Sequence, residues 1–478
     1  MDTSSTWLTI TIIALDWVIR LTLLFYIPRG RKPTAATAWL LAIFLLPGLI
    51  GLLLFAIIGT TRPSRLRRKR QAIINAKVLA SQHHTPKDAS YPDRIEPFIR
   101  LNRNLSKFPA SAGNSSELYT DYLATITRIT ADVKRAKHYV YIESYILSFD
   151  EVTAPLFDAM EQAAMRGVAV YVLFDAFGSR KFRNRRYMKK MLYYASVHWR
   201  AMLPISLVPG KYSRPDLRNH RKLIAIDNQV AYIGSLNLVE PRYERKDAII
   251  YEELVTRMKG PIVAHVAAII AGDWYSETDE AILHFQDMAT TIQKTDQLMQ
   301  IVPSGPAYKN ENNLKLFLDL IYSAKKKIVI TNPYLVPGEP LLTALITAAQ
   351  RGVEVTILNS EAVDQWMVGH AQRSYYAQLL GAGITLYLHH APQLLHSKHI
   401  TIDDDIAVIG SSNMDVRSFE LNYECSLVIY DKRVVKQLAG VQARNISHSY
   451  ALTPALWKKR SLRDSFLDSV ARLTSALQ

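Results

Sequence analysis

The sequence predicts an α/β protein of two pseudo-symmetric α/β sandwich halves packed together, preceded by an N-terminal transmembrane helical hairpin. Three observations predict this: a motif that occurs twice, the same order of helices and strands around each copy, and two long apolar segments near the N-terminus. A chain of 478 residues is long enough for two such halves. We expect the hairpin at 1–61, a basic juxtamembrane connector at 62–116, the first half at 117–290, and the second half, with a C-terminal amphipathic helix, at 291–478.

The hairpin is predicted from residues 7–27 and 35–58, two apolar segments that are each long enough to span a bilayer. A signal peptide is the competing interpretation of the first segment. That segment lacks a basic start and a small-residue cleavage site, and a second apolar segment follows at once. Asp16 and Arg20 lie four residues apart within it, so an intrahelical ion pair can lower the cost of two charges in lipid. Contact of this pair with a lipid head group is the less favoured alternative.

Basic residues set the expected orientation of the hairpin. The cluster after the second apolar segment is larger than the one in the link, and its members are Arg62, Arg65, Arg67, Arg68, Lys69 and Arg70. The positive-inside rule keeps the larger cluster in the cytoplasm, so the body of the protein should lie there, against anionic lipids. The formal net charge of +16 also suits nucleic acid. Beside two membrane segments, we expect no nucleic-acid partner.

Helical and strand patterns alternate after the connector. In the first half they predict helix 122–136, strand 139–146, helix 154–166 and strand 168–174; in the second half they predict helix 314–324, strand 327–334 and helix 341–350. Short links between helices and strands predict parallel strands in a sandwich. The words AAMRGVAVYVLFD at 163–175 and AAQRGVEVTILNS at 348–360 indicate an internal duplication, with its seam near 287–306.

Two further segments each allow two interpretations. The basic segment 180–190 is either a lid or membrane-facing loop, or a solvated helix. The tail carries apolar residues at nearly helical spacing: Leu462, Phe466, Val470, Leu473 and Leu477. With basic residues around it, this stripe fits an interfacial helix and fits equally well a terminal helix docked on the protein.

The duplicated motif reads H-x-K-x4-D-x6-G-S-x-N. Its members are His220, Lys222, Asp227, Gly234, Ser235 and Asn237 in the first copy and His396, Lys398, Asp403, Gly410, Ser411 and Asn413 in the second. Six matched positions at the same spacing disfavour two unrelated surface hairpins. Two copies in one chain indicate two half-sites that face each other and combine two His and two Lys.

Each copy reads as a strand, a polar turn and a second strand. Residues two apart on a strand project from one face, so His220 and Lys222 point into the same space. A positive Lys beside a neutral His suits a phosphate group, because the His can act as nucleophile or as acid and base near pH 7. Asp227 and Asp403 each follow the lysine of their motif by an odd number of residues, so their side chains should point to the opposite face of the strand. We expect these two motif residues to fix each hairpin to its neighbours.

The double motif resembles the phospholipase D superfamily, and the words GSLNLVEPRY, GSSNMDVRSFELNYE and NPYLVP resemble the bacterial cardiolipin synthases within it. The resemblance extends over nearly the whole chain. It implies phospholipase D-like halves, a bacterial inner-membrane location with several membrane passes, and phosphatidylglycerol and anionic membrane lipids as partners. It also implies a catalytic set of His220, Lys222, Asp227, His396, Lys398 and Asp403.

The resemblance further implies a two-step phosphatidyl exchange that converts two phosphatidylglycerol molecules into cardiolipin and glycerol. His220 would be the nucleophile and His396 the acid and base, although the near symmetry of the halves leaves the reverse open. Glu253 would orient His220 and Glu424 would orient His396. Both glutamates could instead be surface strand ends. The supporting donors would be Ser235, Asn237, Ser411 and Asn413, and the two lysines would bind the non-bridging oxygens together with the asparagines.

No cofactor and no metal are expected, because cationic and donor side chains take the place of a divalent ion. His389, His390 and His399 lie near the second motif without a carboxylate pattern, so we interpret them as loop and strand residues. The single cysteine, Cys425, excludes an intramolecular disulfide framework.

Three other functions compete with the synthase. A hydrolytic phospholipase D would share the catalytic residues, and a nuclease of the same fold would need no membrane hairpin. A non-catalytic scaffold would be expected to have lost a His or Lys.

Overall fold

The computed structural model describes residues 3–29, 31, 33–59, 63–81, 91–180, 188, 189, 193, 196–205, 212, 214–243, 249–282, 284, 288, 290–308 and 311–474. Most of the basic segment 180–190 and the end of the apolar tail, Leu477, lie outside the described residues. The interpretation of segment 180–190 is therefore not tested, and that of the tail is tested only as far as residue 474.

Three helices form the N-terminal segment: α1 (Thr3–Tyr26), α2 (Pro33–Leu45) and α3 (Gly48–Ile58). Among the described residues, one helix, Trp7–Tyr26, is long and apolar enough to cross a membrane. The second predicted span is not one helix, because it breaks before Pro47, which has no backbone N–H to continue it. With 13 and 11 residues, α2 and α3 measure about 20 Å and 16 Å, each less than the hydrocarbon thickness of a bilayer.

The predicted ion pair in α1 is present, and its two side chains also bind the backbone at the break between α2 and α3. Arg20 Nε donates to Asp16 Oδ2 at 2.6 Å. The same guanidinium donates to the carbonyl oxygens of Phe44, at 2.6 Å, and Leu46, at 2.8 Å, at the end of α2. Asp16 also accepts from the backbone N–H of Gly48, the first residue of α3. The two charges therefore satisfy the backbone groups that the break leaves without helical partners.

The expected connector contains defined elements: α4 (Arg65–Ser81), α5 (Glu96–Ser106) and most of β1 (Ser111–Tyr119). The buried Ile74 of α4 belongs to the hydrophobic core. Arg67 forms an ion pair with Glu277 at 2.5 Å, and both side chains are buried. Helix α4 thus fixes the N-terminal helices to the first half, and a boundary after residue 116 would divide β1.

The two halves contain matching elements. The first half continues with α6 (Tyr122–Lys134), β2 (Tyr139–Ser144), α7 (Ala154–Met165), β3 (Ala169–Asp175), β4 (His198–Met202), β5 (Leu223–Ile226), β6 (Val230–Gly234), β7 (Ile250–Glu252), β8 (Val255–Lys259) and α8 (Ile262–Thr278). The second half begins with β9 (Gln297–Ser304), α9 (Asn312–Ser323), β10 (Lys327–Thr331), β11 (Leu335–Val336), α10 (Glu339–Gln350), β12 (Glu354–Ser360), α11 (Trp366–Gly381), β13 (Thr385–His389) and β14 (Gln393–Leu395). It ends with β15 (His399–Ile402), β16 (Ile406–Gly410), β17 (Met414–Asp415), α12 (Val416–Glu420), β18 (Glu424–Tyr430), α13 (Lys432–Ser447), β19 (Ser449–Leu452), α14 (Pro454–Lys458) and α15 (Leu462–Arg472).

Within the described part of the chain, fifteen strands form one sheet in the order β19-β13-β12-β10-β15-β16-β18-β9-β1-β8-β6-β5-β2-β3-β4. The order reads the same outward from the antiparallel pair β9–β1, apart from the additional β19. The predicted parallel pairs are confirmed as β2–β3 and β10–β12, while the hairpins β5–β6 and β15–β16 are antiparallel. The predicted seam lies at β9, the second-half member of the central pair.

The repeated A-A-x-R-G word has the same structural role in both halves. Gly167 and Gly352 have φ values of +84° and +86°, which glycine adopts without strain where a helix ends. The arginine before each glycine donates to carbonyl oxygens at the end of the preceding helix: Arg166 to Lys134 and Ala136, and Arg351 to Ile321 and Ala324. The word therefore ends one helix and fixes it to another.

The C-terminal helix α15 docks on α11. Asp468 is buried and lies 2.6 Å from His370 Nδ1. The apolar side chains of the helix point away from this contact, and Leu462 is 91% exposed. Docking is therefore the arrangement observed, but the side that docks is polar.

Candidate active site

The two His–Lys pairs occupy equivalent positions at the start of β5 and β15. His220 and Lys222 precede Leu223, the first residue of β5, and His396 and Lys398 precede His399, the first residue of β15. All four side chains are buried. Lys398 lowers the pKa of His220, and Lys222 lowers the pKa of His396, as further causes after burial. Each ammonium therefore acts on both imidazoles, and the two pairs form one site.

The two glutamates bind the imidazoles crosswise, so the predicted pairing is wrong. His220 Nδ1 lies 2.9 Å from Glu424 Oε1, and His396 Nδ1 lies 2.7 Å from Glu253 Oε1. Both carboxylates are buried, so they are not surface strand ends. Each histidine is thus oriented by a carboxylate from the other half of the protein.

The backbone explains the crossed pairing. The N–H of Tyr423, just before Glu424, donates to the carbonyl oxygen of Arg218, and the N–H of His220 donates back to that of Tyr423. In the second half, the N–H of His396 donates to the carbonyl oxygen of Glu252. The segment before each histidine is therefore hydrogen-bonded to the segment before the other half's carboxylate.

Both lysines are held over the site by the backbone of their own motif. Lys222 Nζ donates to the carbonyl oxygen of His220 at 2.7 Å, and Lys398 Nζ donates to that of His396. Burial lowers the pKa of Lys222 to about 7 and that of Lys398 to about 8. An anion entering the site would restore the ordinary charged state of both ammoniums.

The Gly-Ser pair of each motif fits closely against the strand that carries a glutamate. A Cβ on Gly234 or Gly410 would collide with the carbonyl oxygen of Leu254 or Cys425, respectively. Ser411 Oγ donates to Glu424 Oε2 at 2.5 Å. The equivalent serine, Ser235, accepts at 3.0 Å from the N–H of Leu254, next to Glu253. The motif therefore requires glycine for space and serine to hold the carboxylate strand.

The two motif asparagines are buried, with their amide oxygens unpaired among the described residues. Asn237 Nδ2 donates to Tyr243 Oη at 3.1 Å. That bond uses one N–H of the amide and leaves the other for substrate. Their place in the motif beside the lysines keeps Asn237 and Asn413 as candidate phosphate donors.

The motif aspartates do not reach the site. Asp227 accepts the backbone N–H groups of residues 137–139 at 2.7–2.9 Å. Asp403 accepts those of residues 325–327 at 2.7–3.2 Å and pairs with Arg94. Both fix the motif hairpin to the start of a neighbouring strand, as strand parity predicts, so their contribution to catalysis is structural.

Two tyrosines flank the imidazoles, and sequence reasoning did not find them. The ring centroid of Tyr145 lies 5.0 Å from that of His220, and the ring centroid of Tyr251 lies 5.4 Å from that of His396, both edge to face. Tyr251 Oη also donates to Asp364 Oδ2 at 3.1 Å. The two tyrosines are not at equivalent positions of the duplication, so no repeated word pointed to them.

Burial and the carboxylates oppose each other in setting the charge of the site. Burial lowers the pKa of His220 to about 4, against the raising effect of Glu424, and lowers the pKa of His396 against that of Glu253. Burial raises the pKa of Glu253, but His396 outweighs it and leaves that pKa lowered to about 2. Near pH 7 the free site thus holds neutral imidazoles on anionic carboxylates. With Nδ1–H donated to the carboxylate, each Nε2 carries the lone pair.

His389 and His390 lie at the end of β13, and His399 lies in β15. Among the described residues, no group of three or more His, Cys, Asp and Glu side chains has the arrangement of a metal site. Cys425 is buried, and burial raises the pKa of its thiol well above the usual range.

The sequence matches a known protein family and several known proteins. Residues 129–274 and 317–444, more than half of the chain, match the family described as cardiolipin synthase, PLD-like domain. Cardiolipin synthase A of Serratia proteamaculans (strain 568) is 32% identical over 442 residues, covering 90% of each chain. Cardiolipin synthase A of Proteus mirabilis (strain HI4320) is 31% identical over 472 residues, covering 96% of each.

The fold also resembles a solved structure, phosphatidylserine synthase of Haemophilus influenzae Rd KW20, with a TM-score of 0.60 and 14% sequence identity. The match covers 80% of this chain and all of that one. At this identity the likeness concerns the fold alone. It supports the fold of two packed halves.

Proposed function

The chain belongs to the cardiolipin synthase family of phospholipase D-like proteins, and on that premise we propose that it joins two phosphatidylglycerol molecules into cardiolipin and glycerol. The observation that carries the proposal is the crossed arrangement of two imidazoles. Each has Nδ1 on a buried carboxylate and Nε2 available for substrate, with two lysines beside them. Such a site can transfer a phosphatidyl group through a covalent intermediate.

In the first step, Nε2 of His220 attacks the phosphorus of phosphatidylglycerol. The bond from phosphorus to the glycerol oxygen breaks, and protonated His396 gives its proton to that oxygen. Glycerol leaves and phosphatidyl-histidine remains. Lys222 and Lys398 bind the non-bridging oxygens, where charge concentrates in the transition state, with Asn237 and Asn413 as further donors.

In the second step, the now neutral His396 accepts the proton of a glycerol hydroxyl on another phosphatidylglycerol. The hydroxyl oxygen attacks phosphorus, the phosphorus–nitrogen bond breaks, and cardiolipin leaves. His220 is restored as a neutral imidazole and His396 as an imidazolium, so the cycle is closed in atoms and protons.

The environments of the two imidazoles support these roles. His220 has its pKa lowered to about 4 by burial, which keeps its Nε2 unprotonated and nucleophilic. A bound phosphodiester brings a negative charge that raises both imidazole pKa values. His396 can then hold the proton needed by the leaving glycerol.

We propose a bacterial inner membrane location with the catalytic body on the cytoplasmic side. Helix α1 would cross the bilayer, and α2 and α3 would return as one span broken before Pro47. The basic residues at the start of α4 support this orientation. Helix α4 packs directly on the body, which holds the site close to the lipid surface.

The test is product analysis on the purified, detergent-solubilised full chain with labelled phosphatidylglycerol and a chelator. We expect cardiolipin with stoichiometric free glycerol, and neither product from His220→Ala or His396→Ala. His138→Ala, at an exposed histidine outside the site, is the matched control and should remain active. Phosphatidic acid as the main product would identify a hydrolase. A folded protein that converts no lipid would favour the nuclease interpretation instead.

A further inference from the structure

The C-terminal helix α15 is attached to the body through its polar side. Asp468 is 2% exposed, lies 2.6 Å from His370 Nδ1 of α11, and also accepts from Arg460. Ala471, on the same side, packs into the core of the second half. The contact is therefore an ion-pair network with one small apolar residue.

The opposite side of α15 is apolar and exposed. Leu462, Phe466, Val470 and Leu473 form one stripe at intervals of four, four and three residues, with exposures of 91%, 67%, 45% and 84%. A terminal helix docked on a protein normally buries its apolar stripe and exposes its polar side. Here the arrangement is reversed, so packing among the described residues does not account for the stripe.

Two further exposed apolar side chains lie on α11, the helix on which α15 docks. Trp366 and Met367, at the start of that helix, are 59% and 46% exposed. The Trp366 ring packs edge to face on His370, the residue that contacts Asp468, with ring centroids 4.5 Å apart. We call these six side chains the α11–α15 face: Trp366, Met367, Leu462, Phe466, Val470 and Leu473.

Basic residues accompany this face. Lys458, Lys459 and Arg463 lie on and next to α14 and α15, are exposed, and form no ion pair within the described residues. Exposed apolar side chains with unpaired cations beside them match the surface of an anionic bilayer. A second copy of the chain would bring the same cations together, and this repulsion disfavours a dimer through this face.

The face adjoins the rim of the active site. Asp364, two residues before Trp366, accepts from Tyr334 Oη at 2.7 Å and from Tyr251 Oη at 3.1 Å, and Tyr251 lies against His396. In the first half, the N-terminal helices also reach the segment leading to the motif, because Arg214 donates to the carbonyl oxygen of Ile58 at 2.8 Å. The two attachments thus lie on different halves of one site.

We propose that the α11–α15 face inserts into the head-group region of an anionic bilayer. It holds the second half on the membrane, as the N-terminal helices hold the first, so that the site opens toward its lipid substrate. The catalytic consequence rests on the proposed function, because it assumes a lipid substrate. The insertion itself does not, and it is measured independently.

Insertion is tested in the full chain in lipid nanodiscs. An environment-sensitive dye is attached at Phe466→Cys or, separately, at Leu473→Cys; Cys425 is buried and should not be labelled. The control is Met165→Cys, a 74% exposed site at the end of α7. We expect quenching by shallow spin-labelled lipid at 466 and 473 that is severalfold stronger than at 165 and increases with phosphatidylglycerol content.

Equal quenching at all three positions would overturn the proposal. So would a dye shielded from water but not quenched by lipid in a protein that migrates as a dimer, because that result would assign the face to a second copy. The catalytic consequence is tested with the triple variant Leu462→Ser/Phe466→Ser/Val470→Ser, which leaves Asp468 in place. Turnover should fall severalfold in bilayers and stay unchanged on a monomeric short-chain phosphatidylglycerol.

An equal loss on both substrates would contradict the role in interfacial catalysis. If no variant and no wild-type protein formed cardiolipin, the proposed function would fail, while lipid quenching at 466 and 473 would still decide whether the face inserts.

Discussion

The crossed pairing of carboxylates and imidazoles predicts which histidine each glutamate serves. Replacing Glu424 or Glu253 by Gln keeps the size of the side chain but removes the charge that stabilises an imidazolium. Glu424→Gln replaces the charge-assisted hydrogen bond of 2.9 Å to His220 Nδ1 by a neutral one. Glu253→Gln does the same to the bond of 2.7 Å to His396 Nδ1. Loss of the carboxylate behind a catalytic imidazole lowers kcat by about 10⁴-fold in a Ser-His-Asp site. We expect a decrease of about 10³–10⁴-fold, or roughly 4–5.5 kcal/mol, for either variant.

A substrate with an acidic leaving group distinguishes the effect of Glu253→Gln from that of Glu424→Gln. When p-nitrophenol replaces the glycerol head group, its departure needs no proton, so the first step depends on the nucleophile alone. Glu253→Gln, which impairs His396, should release about one equivalent of nitrophenolate per active site and then stall, because the acceptor hydroxyl is not deprotonated. Glu424→Gln, which impairs His220, should lose this burst. Stopped-flow absorbance measures both.

His220→Ala and His396→Ala, measured beside them, show which assumption fails. If the roles of the histidines are reversed, His220→Ala and Glu424→Gln keep the burst together. If each glutamate serves the histidine of its own half, Glu253→Gln instead shares the phenotype of His220→Ala. The second outcome would falsify the crossed geometry, since the pairing in the structure links Glu424 with His220.

Three further predictions concern charge and stability. Because burial lowers the pKa of Lys222 to about 7 and of Lys398 to about 8, a bound phosphate anion should raise both toward the ordinary value of about 10.4. Calorimetry in buffers of different ionisation enthalpy should then show proton uptake at about pH 8 to 9, where the free site holds a large neutral fraction of both lysines; no uptake at about pH 8 would contradict it. Asp227→Asn should lower the free energy of unfolding by about 1–3 kcal/mol, because its carboxylate serves three backbone N–H groups; denaturant unfolding measures this, and activity per folded molecule should be kept. Arg20→Met should lower the melting temperature in detergent by leaving Asp16 unpaired, and Asp16→Asn in the same chain should restore part of the loss.

The sequence contained enough information to place the site within the fold. Fixed spacing placed His220 and His396 at the start of equivalent strands, and strand parity separated Asp227 and Asp403 from the lysines. These are local properties, set by the two-residue period of a strand. Helix and strand order around each copy was equally local, so the parallel pairs were predictable from it.

What could not be predicted depends on contacts between distant segments. The partner of each glutamate is set by hydrogen bonds across the two halves, as between Tyr423 and Arg218. Sequence proximity favoured the same-half pairing instead. Strand β1 has polar residues typical of a connector, yet lies at the centre of the sheet because the duplication pairs it with β9. Tyr145 and Tyr251 lie beside the imidazoles only after folding.

The duplicated site is unequal where the residue between His and Lys differs. In the first half this residue is Arg221, buried, which pairs with Asp273 and donates to the carbonyl oxygen of Glu424 at 3.0 Å. The equivalent residue in the second half is Ser397, and it lines an open cavity of about 710 Å³ together with Glu253. The backbone of Glu424, whose carboxylate serves His220, is thus fixed by a guanidinium. Ser397 offers no guanidinium to the backbone of Glu253, whose carboxylate serves His396. A nucleophile attacks at one angle and benefits from a fixed ring, whereas an acid and base must serve a leaving and an arriving oxygen in turn. This difference between the halves favours the same assignment of roles as the pKa values do.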